Sequence, residues 1–265
     1  MVISGIFWPG GAGSWICNMR TLLVVVLLLL VGWIQASLAD EIRVAVASNF
    51  AGAARQLASR FESRTGHEVK LSFGSTGKQY AQIRNGAPFH AWFAADSRHP
   101  ALLEAGGLVQ PGSRFTYALG RLVLWSPDPG LVDENGDILG KGGFRHLAVA
   151  NPRLAPYGLA AQQLLRKLGL WDALGSRMVR GENIGQAFQF VRSGTAELGL
   201  VAASQVLGEG RPLRGSLWMP PAHLYRPIEQ QAVLLREHVV ARDFLRFAAS
   251  DEGRAIIRAN GYEVP

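Results

Sequence analysis

Four short clusters of small, uncharged hydrogen-bonding residues recur along this chain, each set between an apolar stretch with strand periodicity and one with helical periodicity. They are Ser48-Asn49, Ser75-Thr76, Tyr157-Gly158 after Ala155-Pro156, and Asn183-Ile184 after Glu182. At each, the spacing of apolar residues changes from about two to about 3.6, so a helix begins there. The first N–H groups of a helix have no partner within it, and the helix start carries about half a positive charge. Such a turn is a seat for an anion. Hydroxyls at Ser48, Ser75, Thr76 and Tyr157 would add donors, and each hydrogen bond to a charged partner contributes about 1.5–3 kcal/mol. Taken singly, each junction is also what an ordinary helix cap looks like; the recurrence carries the reading.

Other chemistries fit less well. Ser75-Thr76-Gly77-Lys78 matches the S-x-x-K pattern of serine acyl-transfer enzymes, with Lys78 beside a Ser75 nucleophile, but the companion S-D-N and K-T-G motifs are absent, as is a G-x-S-x-G elbow. A phosphate-cradling G-x-x-x-x-G-K-[ST] loop fails because Gln79 follows Lys78. The six histidines (67, 90, 99, 146, 223 and 238) are scattered without metal-ligand spacing, so no bare metal ion is expected. Asp96, just after a strand, reads as a turn or cap residue. Lys and Arg are spread without a dense run, which argues against nucleic acid.

The elements that must position these residues alternate throughout, which is the signature of an α/β fold. Strands are predicted at Arg43–Ala47, Val69–Phe73, Trp92–Ala95, a long Tyr117–Trp125, Leu147–Ala150, Met178–Gly181, Leu198–Val201 and Gln230–Leu235. Helices are predicted after Ser48-Asn49, over Lys78–Asn85 and Pro100–Ala105, from Tyr157 through Leu168, from Ile184, and as one C-terminal helix over Arg242–Asn260. Ser126–Gly143, rich in Gly, Pro and Asp, reads as loop.

Ahead of these lies Thr21–Ile34, an almost pure Leu/Val run after Arg20 and before Ser37-Leu38-Ala39. It reads as a signal peptide, residues 1–39, cut after Ala39. At roughly 14 residues it is short of the roughly 20 needed to span a bilayer. Met1–Asn18 lacks the positive charge of a leader, and Met19 is the more natural start. Cys17 precedes the apolar run, so the secreted chain has no cysteine and no thiol chemistry. Of 27 Lys and Arg only Arg20 is removed, and of 20 acidic residues none, so the mature net charge is +6. That excess favours encounter with small anions.

The junctions together form a wider pattern. Val46-Ala47-Ser48-Asn49-Phe50, Ser72-Phe73-Gly74-Ser75-Thr76-Gly77, Asn85-Gly86-Ala87-Pro88, Asn151-Pro152 with Ala155-Pro156-Tyr157-Gly158, and Leu198-Gly199-Leu200-Val201 resemble the molybdate-binding periplasmic proteins of ABC importers over essentially all of Glu41–Pro265. The resemblance implies a type II periplasmic-binding-protein fold with two α/β lobes and two crossings near Ala118 and Tyr225. Lobe one would be 40–118 plus 225–265, and lobe two 119–224. It implies a monomer that binds molybdate or tungstate as a dehydrated dianion, without cofactor or catalysis, and passes it to a membrane permease. It assigns anion contacts to Ser48, Asn49, Ser75, Thr76, Tyr157 and the N–H of Ile184. The chain departs from one common form of the pattern by carrying Ala202 where many members have Tyr. Lys78 and Glu182 are expected to face solvent. A carrier for another oxyanion, such as sulfate or phosphate, stays open at this stage.

Overall fold

The structure, a computed structural model, describes residues 1, 2, 5, 39–208 and 214–265. The apolar leader, Cys17 and the alternative start at Met19 lie outside the described residues. The chain divides into Met1–Ala39 and Asp40–Pro265, and all of the architecture below belongs to the second unit.

The chain begins with β1 (Glu41–Ala47), a single 3-10 turn at Ser48–Phe50 and α1 (Ala51–Thr65), then β2 (Glu68–Gly74) and α2 (Thr76–Arg84). β3 (Ala91–Phe93), α3 (Arg98–Ala105) and β4 (Phe115–Gly120) follow. Next come β5 (Leu122–Ser126), the single turn α4 (Ile138–Lys141), β6 (Leu147–Ala150), α5 (Pro156–Lys167), β7 (Met178–Gly181) and α6 (Ile184–Arg192). The chain closes with β8 (Leu198–Ala202), α7 (Ala203–Val206), β9 (Ser216–Trp218), β10 (Ile228–Leu234), α8 (Val239–Ala249) and α9 (Asp251–Ala259).

The strands form two five-stranded sheets of matching layout, ordered β2-β1-β3-β10-β4 and β7-β6-β8-β5-β9. In each, three strands run parallel, joined by helical crossovers, and the fourth in the order is antiparallel to its neighbours. Both faces of each sheet are covered, as parallel strands require. In β3, for instance, Ala91 and Phe93 pack with Phe50, Tyr117 and Phe244 on one side, while Trp92 packs with Ile83, Leu103 and Val233 on the other.

Three expectations are corrected. Tyr117–Trp125 is not one strand: β4 ends at Gly120 in the first sheet, and β5 starts at Leu122 in the second. Apolar residues lie on both sides of Gly120-Arg121, and their sequence says nothing of which sheet receives each half. The C-terminal helix is two, broken at Ser250, whose hydroxyl accepts from Gly253 N–H and caps the second. The stretch Ser126–Gly143 holds the turn α4, nucleated by Asp133, whose carboxylate accepts from the N–H groups of Asn135, Asp137 and Ile138.

Candidate functional site

Strand register brings the junctions together. In the first sheet Ala47 pairs with Gly74, so Ser48 and Ser75 leave neighbouring parallel strands at the same level. In the second, Ala150 pairs with Gly181, and the turns toward Tyr157 and Ile184 leave side by side in the same way. Neighbouring strands lie about 4.8 Å apart, so each sheet presents two helix starts at the carboxyl ends of its parallel strands. In open α/β sheets that end is where ligands bind.

The two halves meet at these starts. Ser48 Oγ accepts from Gly185 N–H at 3.1 Å, joining the first junction to the second residue of α6. Gly77 N–H donates to Leu154 O at 2.9 Å, joining the start of α2 to the turn before α5. A Cβ at Gly77 would lie 3.0 Å from that carbonyl oxygen, so the close approach calls for glycine. At the rim Lys78 Nζ stands 3.4 Å from Glu182 Oε2, with both side chains more than half exposed. They face solvent as expected and in addition pair across the gap. Ser75 Oγ has no partner among the described residues, so Lys78 does not engage it and the S-x-x-K arrangement is not assembled.

The residues singled out from sequence are placed differently from one another. Ser75 is 3 % exposed and its hydroxyl is buried without a partner among the described residues. A buried hydroxyl left unpaired costs about 1–3 kcal/mol, so a partner for this atom would be stabilising. Ile184 has its side chain in the core, and its N–H, at the first position of α6, has no carbonyl to bond within the helix. Asn183 caps that helix by accepting from Gln186 N–H. Thr76 serves the scaffold: its hydroxyl accepts from Ala95 N–H at 3.0 Å and ties the end of β3 to α2. Asp96 is a cap residue, accepting from His99 N–H. The buried Ala202 supplies no hydroxyl, and its N–H donates to Gln205 Oε1.

Asn49 and Tyr157 are joined by a residue that the sequence did not single out. Gln230, on β10 and fully buried, accepts at Oε1 from Asn49 Nδ2 (2.6 Å) and Tyr117 OH (3.1 Å), and its Nε2 donates to Tyr157 OH at 3.5 Å. Asn49 Nδ2 also reaches Tyr262 OH at 3.0 Å, and Tyr262 OH donates to Asn49 O. Both amide hydrogens of Asn49 are thus occupied, which leaves its Oδ1 buried without a partner. Because Tyr157 OH is an acceptor toward Gln230, its own hydrogen is free to donate. A Cβ at Gly120 would run into that phenol oxygen, so the residue just before the chain changes sheets has to be glycine. The signal that could have revealed Gln230 is its place in a polar run, Glu229-Gln230-Gln231, inside an otherwise apolar strand.

Burial raises the pKa of Tyr117, Tyr157 and Tyr262, with neighbouring phenols adding to the first two. All three are therefore neutral hydrogen-bond donors around neutral pH. Among Ser48, Asn49, Ser75, Thr76, Tyr157 and Ile184 there is no charge, so the site offers dipoles and hydrogens only.

Residues 42–263 match the family model described as bacterial extracellular solute-binding protein. The molybdate-binding protein ModA of Azotobacter vinelandii is 49 % identical over 86 % of this chain and 91 % of its own length. ModA of Rhodobacter capsulatus is 44 % identical over 89 % and 93 %. The solved periplasmic molybdate-binding protein of A. vinelandii superposes with a TM-score of 0.82 at 46 % identity, covering 84 % of this chain and 99 % of that one. The sulfate-binding protein SubI of Mycobacterium tuberculosis, at 14 % identity and TM-score 0.67, shares the fold.

Two outcomes follow from the network. Gln230→Leu removes one partner each from Asn49 Nδ2, Tyr117 OH and Tyr157 OH and should lower unfolding free energy by about 1–3 kcal/mol in urea titrations; an unchanged midpoint would count against the network. Above about pH 10 the unfolded chain releases tyrosine protons that the folded chain retains, so stability falls as pH rises there and is flat with respect to these groups between about pH 6 and 9. Urea midpoints measured at about pH 8 and about pH 10.5 check this, and equal values would contradict it.

Proposed function

The chain belongs to the bacterial extracellular solute-binding proteins, and from that premise we propose that it captures molybdate, and tungstate by the same chemistry, for an ABC importer. The observation that carries this reading is the buried, unpartnered Ser75 hydroxyl among helix starts contributed by both sheets, at a site with no charged side chain.

A tetrahedral dianion accepts hydrogen bonds on every oxygen and donates none. Ser48, Ser75, Thr76 and Tyr157 would give O–H donors; Asn49, Thr76 and Ile184 would add backbone N–H groups. Three helix starts and the 3-10 turn at Ser48 supply positive potential without a counter-ion. A fixed carboxylate is missing from this set, so no like charge repels the dianion.

Lobe one is taken as 40–118 with 225–265, and lobe two as 119–224. With open lobes the anion enters; its bonds to both lobes stabilise the closed state, a ligand-driven hinge closure. The closed form then docks on a membrane permease. The protein acts as a monomer in the periplasm after removal of residues 1–39, and forms or breaks no covalent bond.

Molybdate or tungstate at about a thousand times Kd should add about 4 kcal/mol and raise Tm by roughly 8–16 °C, with sulfate and phosphate far weaker. A shift with sulfate or phosphate instead would keep the clamp and change its cargo; no shift with any of them would remove the oxyanion reading. Tyr157→Phe should weaken molybdate binding by about ten- to a hundredfold in calorimetric titration, as loss of one hydrogen bond to an anion requires. Unaltered affinity would take Tyr157 out of the site.

A further inference from the structure

An uncharged binding site has a kinetic drawback. Helix-end potentials fade within about a turn, so they hold an anion well but attract it weakly from a distance. A second feature of the molecule meets that need, on the reading that the cargo is an oxyanion.

Beside the Ser48–Gly185 contact lies a cavity of about 400 Å³, lined by Ser48, Asn49 and Gly185 and continuing outward to Arg55 and Arg192. Arg55 is on α1 and Arg192 ends α6, so one guanidinium comes from an element packed on each sheet. These two are the charged residues of the lining; among the described residues it holds no carboxylate, lysine or histidine. Neither arginine has a carboxylate partner among the described residues. Each instead lies near an aromatic ring, Arg55 at 4.6 Å from the centre of Phe73 and Arg192 at 5.8 Å from that of Phe188. Cation–π contact holds a guanidinium in place without neutralising it. Phe73 is itself 37 % exposed, unusual for a large apolar side chain on a strand, and the stacked Arg55 covers part of it.

Other exposed arginines of this protein are tied to acids, among them Arg60 and Arg64 to Glu252, Arg114 to Glu104, Arg145 to Glu197 and Arg242 to Glu237. Among the described residues Arg55 and Arg192 are two that are not, and both border one cavity. The pair at the cavity keeps its full charge and bounds a space adjoining the residues assigned to the anion.

We propose that this cavity is an outer encounter site, in which Arg55 and Arg192 attract the dianion and hold it briefly before it passes to the uncharged inner site. Separating the two tasks has a physical rationale. Cations in the inner site would bind any anion strongly, whereas cations outside it speed arrival and leave selection to the fixed donors within.

The test is the rate of radiolabelled molybdate capture and release by the purified protein, followed by rapid filtration at low and high salt. In the double variant Arg55→Gln/Arg192→Gln, the association rate should fall about tenfold at low salt, the difference should vanish at high salt, and release should stay within about twofold. Arg55→Lys/Arg192→Lys keeps both charges and should restore most of the rate. An unchanged association rate in the glutamine variant, a loss confined to release, or a slow lysine variant would each overturn the encounter role. Wild-type protein that captures no molybdate would instead overturn the oxyanion reading, and this inference with it.

Discussion

A helix cannot satisfy the first N–H groups of its own first turn, and the rest of this molecule follows from where those groups are sent. Three helices and one 3-10 turn begin at the carboxyl ends of parallel strands, in two sheets laid out alike. Strand register then does the positioning: Ala47 opposite Gly74 and Ala150 opposite Gly181 put the starts in adjacent pairs. A dianion held by such groups needs donors that are already in place, because every donor that must be ordered on binding subtracts entropy from the affinity. Both faces of each sheet are packed, so the strand ends are rigid where the donors emerge.

The buried polar network around Gln230 does for the side chains what register does for the backbone. A low-dielectric interior strengthens satisfied hydrogen bonds and penalises unsatisfied ones, so one glutamine can fix several neighbours. Here it touches Asn49, Tyr117 and Tyr157, and through Asn49 it connects with Tyr262 near the C-terminus. Tyr157 follows the second sheet's β6 and Gln230 lies on the first sheet's β10, so this network also spans the two halves. Together with the Ser48–Gly185 and Gly77–Leu154 bonds, it joins the two halves through many small contacts.

The division of charge is a consequence of the same design. Inner donors are neutral and stay so, since burial keeps the phenols protonated. The cations and carboxylates are kept at the rim, where Lys78 pairs with Glu182, or farther out, where Arg55 and Arg192 keep their charge against aromatic rings. Selection between oxyanions of like charge then falls to cavity size and donor placement.

Much of this was legible in the chain. The alternation of strand and helix periods fixes an α/β class, and small hydroxyl residues at the period changes mark Ser48, Ser75 and Tyr157 for attention, because local hydrogen-bonding capacity and backbone preference act within a few residues. The sequence also places Ile184 at a helix start by its amphipathic spacing. What it could not decide involves partners far apart along the chain. Gly120-Arg121 interrupts the apolar run between β4 and β5, but nothing local says that the chain changes sheets there. Nothing local shows that the Thr76 hydroxyl accepts from Ala95, or that Gln230 sits between Asn49 and Tyr157, because those bonds close loops of 19, 181 and 73 residues. Residue types and periodicity determined which groups can bind an anion; only packing of the two sheets determined which of them are left unpaired to do so.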